Sequence, residues 1–389
     1  MMRTGLDRLL AKPDAVKGRR VALIANHTSV AENCRYSWDL LHAGGIDIRT
    51  IFSPEHGLFG TEQDQVASAP SPMVHFPVVS LYGGSAESLA PLDAHLDGID
   101  CVLFDIQDIG TRYYTYLNTM VLFLRAVNGR DIEFIVLDRP NPLNGNTVEG
   151  PVLKKGYESF VGLLPVPVRH GLTAGEMAHL AIDYSSLDVN LTVIEMSGWT
   201  RDLYYDETGL PWVPPSPNMP APSTTLVYPG ACLFEGTSVS EGRGTTTPFE
   251  ISGAPGVRPY ELADRLNAIG LPGVAFRPLL FRPTFNKHGG REIGGVFTHV
   301  TDRVLFRPFL TGVAMTMAYR ELFDGFTFLT GAYEFNTTHP AFDLLTGSSA
   351  IREAIEAGKP LDQVSLLWEK EEHVFSGVAG EYHRYGDHG

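Results

Sequence analysis

The residues best equipped for chemistry stand at Ser53-Pro54-Glu55-His56-Gly57, directly after the strand-like run 46–52. A carboxylate and an imidazole lie side by side there. Pro54 restricts the backbone of its neighbour and Gly57 permits a sharp turn, so the pair is displayed on a rigid loop. If the preceding run is a parallel strand, the loop lies at the carboxyl end of a sheet, where open α/β folds bind ligands. Acid–base work is the sharp reading of such a pair. The plain reading is a turn in which Glu55 caps the next segment, with His56 a hydrogen-bonded turn histidine.

Three further segments share this logic. Cys101-Val102-Leu103-Phe104 runs into Asp105-Ile106-Gln107-Asp108-Ile109-Gly110-Thr111-Arg112-Tyr113-Tyr114-Thr115-Tyr116. Asp105 follows its strand immediately, whereas Asp108 lies two residues before Gly110 and equally suits an Asx turn. The tyrosines offer flat faces and hydroxyls to a polar ring, or start a helix with alternate rings buried. Arg112 is placed to pair with a ligand carboxylate or with Asp105. Residues 132–137 run into Asp138-Arg139-Pro140-Asn141-Pro142, where two prolines suit either a loop that holds Asn141 in one pose or an ordinary strand exit. His170 follows Pro165-Val166-Pro167-Val168-Arg169. In Glu241-Gly242-Arg243-Gly244-Thr245, glycines flank a guanidinium that can grip a carboxylate bidentately.

Taken in order, these four motifs resemble the DUF1343 family, whose characterised members are exo-β-N-acetylmuramidases (the NamZ type of glycoside hydrolase). The resemblance runs from Gly18 to the C-terminal region. It implies a cofactor-independent hydrolase that removes N-acetylmuramic acid from non-reducing ends of peptidoglycan fragments. Glycoside cleavage needs an acid for the leaving oxygen and a group that attacks or stabilises the anomeric carbon. Glu55 is the expected acid, His56 either orients it or binds a sugar hydroxyl, and Asp105 is a further catalytic carboxylate. The substrate's acetamido group is an alternative nucleophile, steered by Asp105 or Asp108. Asn26, Asp108, Arg112, Tyr113, Asn141, His170, Glu241, Arg243 and Thr245 are the expected substrate contacts. The lactyl carboxylate of the sugar calls for a cation, with Arg243 the first choice and Arg112 the second. Family members vary at the position of Glu241, some carrying an apolar residue, which argues against Glu241 as an essential catalyst.

The remainder of the chain must position these groups. Its 389 residues, 43% apolar and 19% charged, suit two globular domains. A net charge of −15 argues against nucleic acid or an anionic membrane surface as partner, and no apolar run has membrane-spanning length. Three widely spaced cysteines form neither a disulfide framework nor a zinc pattern, and no metal site or cofactor is expected. The N-terminus shows no signal peptide, so the chain as written is expected to be cytoplasmic, or exported if a leader has been removed.

Apolar runs at 21–25, 46–52, 78–81, 102–104, 134–137 and 191–194 alternate with helical segments at 38–41, 116–127 and 173–184, the last opened by a Thr173–Glu176 capping box. The fold class is therefore α/β: a Rossmann-like parallel sheet domain over 1–210, lacking the dinucleotide fingerprint because Asn26-His27-Thr28 stands where its glycines would be. A proline-rich crossover follows at 211–222, anchored by Trp212, Val213 and Met219. A smaller α+β domain, with helices at 260–268 and 309–323 and strands at 274–281 and 296–300, completes the cleft over 223–389. The rival functions are a nucleotide-dependent enzyme on the Rossmann-like half and a non-catalytic muropeptide-binding protein.

Overall fold

A computed structural model describes residues 2–63, 73–83 and 85–386. The first half is built on six parallel strands: β1 (Arg20–Ala25), β2 (Asp47–Ser53), β3 (Val78–Ser80), β4 (Cys101–Asp105), β5 (Glu133–Leu137) and β6 (Leu191–Ile194). Their order across the sheet is β3-β2-β1-β4-β5-β6, so the chain reverses direction of growth between β1 and β4. Alternate side chains of these strands enter two different cores, as the period of a strand requires. Val21, Leu23, Cys101, Leu103, Ile135 and Leu137 pack beneath α1 (Gly5–Ala11) and α2 (Ser37–Ala43). Ala22, Ile24, Val102, Phe104, Phe134 and Val136 face the other way, toward α4 (Thr115–Ala126) and α5 (Ala174–Ser185). The single-turn α3 (Asp93–Leu96) lies just before β4.

The sequence locates each of the six strands and the helices α2, α4 and α5. Thr173 caps α5 as expected, and Glu176 is fully committed to structure: one carboxylate oxygen accepts from the Thr173 backbone at 3.0 Å and the other pairs with Arg201 at 2.5 Å.

The second half carries a three-stranded antiparallel sheet, ordered β7-β9-β8, from β7 (Ile251–Ala254), β8 (Val274–Phe281) and β9 (Ile293–Val300). Helices α7 (Pro259–Ile269) and α8 (Pro308–Leu322) cover it. Before them comes α6 (Pro222–Ala231), which the sequence does not announce because Pro229 sits inside it and two threonines weaken it. Tertiary packing overrides that preference. Gly230 and Gly312 bring α6 and α8 so close that a Cβ on Gly312 would stand 2.4 Å from the Gly230 carbonyl oxygen.

Three C-terminal helices, α9 (Ala341–Thr346), α10 (Ala350–Glu356) and α11 (Leu361–Gly380), return to the first half. Phe342, Ile351, Val364, Trp368 and Phe375 join the same core as Phe104, Phe123 and Phe134 of the sheet domain. The two halves thus share one continuous apolar interior. Segment 211–221 forms no helix or strand, yet Met219 is fully buried and its carbonyl accepts from the Trp212 indole at 3.1 Å. Among the described residues no helix is long and apolar enough to cross a membrane.

Candidate active site

The crevice between the ends of β1 and β4, where a doubly wound sheet usually binds its ligand, is filled by protein. Asp105 is completely buried and its carboxylate pairs with Arg139 at 2.6 Å, while Arg139 also donates to the Val30 carbonyl at 3.0 Å. Burial pushes the Asp105 pKa up and Arg139 offsets only part of that rise. Asn26 accepts from the Thr28 amide at 2.9 Å and hydroxyl at 2.6 Å, closing its own turn. Gln107 spans the gap, donating to the Asp108 and Pro140 carbonyls at 2.7 and 2.8 Å. A buried ion pair must be matched inside the protein, and here the match is internal. Asp105 and Asn26 are thus engaged within a buried plug and do not line the cavity described below.

Four other expected site residues are likewise engaged within the protein and lie outside the lining of that cavity. Arg112 does not reach Asp105; its guanidinium donates to the carbonyls of Pro151, Val166 and Leu345 at 2.7, 2.8 and 2.6 Å. Asn141 closes a turn with the Leu143 amide and donates to the Leu172 carbonyl, both at 3.0 Å. His170 is fully buried, accepts from the Leu172 amide at 3.1 Å, and has its pKa pushed down to about 3 by burial and by Arg112 and Arg169. Asp108 forms the Asx turn, accepting from the Gly110 amide at 2.6 Å, and burial raises its pKa to about 7.

The open space lies one strand over. A cavity of about 360 Å³ is bounded by the loop after β2, the start of α4, the 211–221 crossover and the second half. That is large enough for a sugar ring and its substituents. Glu55 and His56 line it. Thr115, the first residue of α4, donates its hydroxyl to the Glu55 carboxylate at 2.5 Å. His56 is held in a left-handed backbone conformation, φ 68°, and its Nδ1 donates to the Glu62 carbonyl at 2.9 Å. In the neutral ring that hydrogen bond selects the Nδ1–H tautomer, in which Nε2 is an acceptor.

One wall is aromatic. Tyr113, Tyr114, Tyr228 and Phe249 line it, with Tyr228 edge-on to Phe249 at 4.8 Å and to Tyr114 at 5.8 Å between ring centres. Tyr113 is tied to the second half by its hydroxyl, which donates to the Pro229 carbonyl. Tyr116, by contrast, is wholly buried and donates to the Pro215 carbonyl. The sequence does not single out Ser216, Asn218, Tyr228, Glu235 or Glu334, which also line the cavity. Polar Ser216 and Asn218, set between prolines, are the one legible signal among these.

Arg243 is the sole lysine or arginine among the described residues lining the cavity. It pairs closely with Glu235, lies 3.7 Å from Glu241 and stands over the Phe249 ring at 5.5 Å. Burial opposes its charge, but Glu235 and Glu241 outweigh that and hold its pKa well above the usual value. Glu241 is buried behind it. Burial works against that carboxylate, and Lys287 at 3.0 Å together with Arg243 lowers its pKa in spite of it. Thr245 lies outside the cavity lining and donates to the Gly242 carbonyl at 2.6 Å. Among the described residues, no group of three or more His, Cys, Asp or Glu is placed to hold a metal ion. A larger groove of about 580 Å³, between α5 and α11, is mainly apolar, lined by residues such as Leu180, Val374, Phe375 and Val378.

Fold and cavity define a two-domain α/β protein whose halves enclose an aromatic-walled cleft bearing carboxylates and one cation. Residues 21–223 match the profile of the N-terminal part of exo-β-N-acetylmuramidase NamZ, and residues 226–385 match that of its C-terminal part. The chain belongs to this NamZ family. It is 42% identical over 388 residues, 98% of this chain and 91% of the relative, to a protein named peptidoglycan β-N-acetylmuramidase NamZ from Bacillus subtilis (strain 168). Two crystal structures of DUF1343 family proteins from Bacteroides fragilis NCTC 9343 are similar in fold. One superposes with a TM-score of 0.89 at 33% identity over 99% of both chains, the other with 0.80 at 30% over the whole of both.

The Asp108 turn makes a pH prediction. An acid whose pKa is raised on folding, here from about 4 to about 7, contributes stability that is lost as pH rises through that interval. Asp108→Asn removes the ionisation while keeping an acceptor for the turn. The variant should gain more stability over wild type at pH 8 than at pH 5, by on the order of 1–3 kcal/mol. Denaturant melts of both proteins at the two pH values measure the difference; an equal gap at both would refute it.

Proposed function

We propose that this chain is an exo-acting β-N-acetylmuramidase, releasing N-acetylmuramic acid from the non-reducing ends of peptidoglycan fragments without a cofactor. The observation that carries the reading is the placement of the Glu55 carboxylate in a sugar-sized cavity that both halves build. Membership of the NamZ family and the name of the Bacillus subtilis relative give the sugar class. Residues 1–210 supply the acid, 211–222 wrap the rim, and 223–389 close the cleft and supply the cation.

In this reading Glu55 gives its proton to the glycosidic oxygen as the bond to the anomeric carbon breaks. Thr115 holds the carboxylate in one rotamer, so no ordering is needed when the sugar arrives. The pyranose ring stacks on the Tyr114–Tyr228–Phe249 wall. His56 Nε2 accepts from a sugar hydroxyl. Arg243 faces the lactyl carboxylate that distinguishes muramic acid from glucosamine. Its neighbours Glu235 and Glu241 hold the guanidinium in place and keep it charged. A nucleotide-dependent reading is not favoured, because the switch-point crevice such a cofactor would use is occupied by the Asp105–Arg139 plug.

Glu55→Gln should leave folding intact and lower turnover of substrates with poor leaving groups roughly 10²–10⁴-fold. Retention of more than a tenth of wild-type activity on such a substrate would remove Glu55 from the acid role. A chromogenic N-acetylmuraminide that wild type binds but does not turn over would instead support a binding protein.

Arg243→Ala tests the origin of selectivity. A charge-assisted pair lost from a desolvated pocket is worth on the order of 2–5 kcal/mol. The ratio of kcat/KM for N-acetylmuraminide over N-acetylglucosaminide should therefore fall by more than tenfold. An unchanged ratio would assign Arg243 to structure alone.

A further inference from the structure

The second half lines the cavity with a loop that breaks the usual turn code. Tyr333 and Asn336 exchange backbone hydrogen bonds, Tyr333 amide to Asn336 carbonyl at 2.9 Å and Asn336 amide to Tyr333 carbonyl at 2.8 Å. The two residues between them, Glu334 and Phe335, have φ of 47° and 62°. This is a two-residue turn with both central residues left-handed, a conformation that favours Asn and Gly and that bulky side chains rarely adopt. Glu and Phe are poor choices for it, and such outliers cluster where function requires a fixed pose.

The turn is clamped on several sides. The Tyr333 hydroxyl donates to Glu235 at 2.6 Å, and the Phe335 ring packs against Tyr82 with centres 6.4 Å apart. The Asn336 side chain accepts from the amides of Thr338 and His339 at 2.9 and 3.1 Å. The clamps deliver Glu334 into the cavity that Glu55 lines from the other half. The buried Tyr82 hydroxyl donates to the Glu334 carboxylate at 3.4 Å, and burial together with the negative charges of Glu55 and Glu334 raises its pKa.

We infer that Glu334 is the second carboxylate of the reaction, acting as general base on the attacking water from the second half's side of the cavity. This rests on the reading of the cavity as the hydrolytic site. Water oxygen bonds to the anomeric carbon while the bond from that carbon to the glycosidic oxygen breaks. The water's proton passes to Glu334, and the proton of Glu55 passes to the departing oxygen. One water is consumed per bond, and solvent exchange restores both carboxyl groups. Tyr82 is a positioning residue that donates to the Glu334 carboxylate.

The strained turn supplies a test that separates catalysis from structure. In Glu334→Gly the left-handed conformation is relaxed, so the variant should melt at or above the wild-type temperature. Its kcat should nevertheless fall at least 100-fold on N-acetylmuraminides with good and with poor leaving groups alike, since the base is needed for both. Azide, a nucleophile that needs no base, should restore part of the lost turnover on the substrate with the good leaving group. Activity within tenfold of wild type would overturn the inference. So would a rate loss accompanied by a lowered melting temperature, or one that azide does not relieve. Failure of the wild-type protein itself to hydrolyse either substrate would overturn the hydrolase reading rather than the role of Glu334.

Discussion

A charge removed from water must find its partners within the protein, and this constraint shapes the carboxyl edge of the parallel sheet. Asp105, at the end of β4, has no exposure and is matched by Arg139 from the end of β5. Breaking one member of such a pair costs about 3–5 kcal/mol, because the other is left charged and buried. The pair pins the two strand exits together and closes the site that the topology would otherwise open. The ligand space is displaced toward the end of β2 and the start of α4, where Glu55 stands.

That displacement makes the second half necessary. The sheet domain lines this cavity with the loop after β2 and the start of α4, and the crossover and second half provide the other walls. Both sides are fixed by a shared apolar core running from Phe104 and Phe134 to Phe342 and Trp368. Tyr113 and Tyr116, at the start of α4, tie the sheet domain to Pro229 and Pro215 across the junction. The cavity is therefore built into the packing of the halves, with Glu55 lining it from one half and Glu334 from the other.

Much of this was legible in the sequence, and the failures share a cause. Short apolar runs located β1 to β6, since strands with a core on each face are apolar on both. The capping box placed α5, and Pro54 and Gly57 marked Glu55 as displayed. Asp105 and Glu55 look alike in sequence, each a carboxylate at or just after the end of a strand; which is matched by a buried arginine is a three-dimensional fact. Arg112 looked like a ligand cation, yet one of its carbonyl partners, Leu345, lies 233 residues away. The turn holding Glu334 was invisible because its residues contradict the preference by which such turns are found. α6 was hidden for a related reason: its internal Pro229 argues for a break, and only contact with α8 sustains it.

The most direct measurement of the central claim is a crystal structure of the protein with N-acetylmuramic acid bound. The account predicts the pyranose ring against Tyr228 and Phe249, its anomeric oxygen within hydrogen-bond distance of Glu55, and its lactyl carboxylate facing Arg243. A sugar seated in the apolar groove between α5 and α11, or at the Asp105–Arg139 crevice, with the interdomain cavity empty, would contradict it.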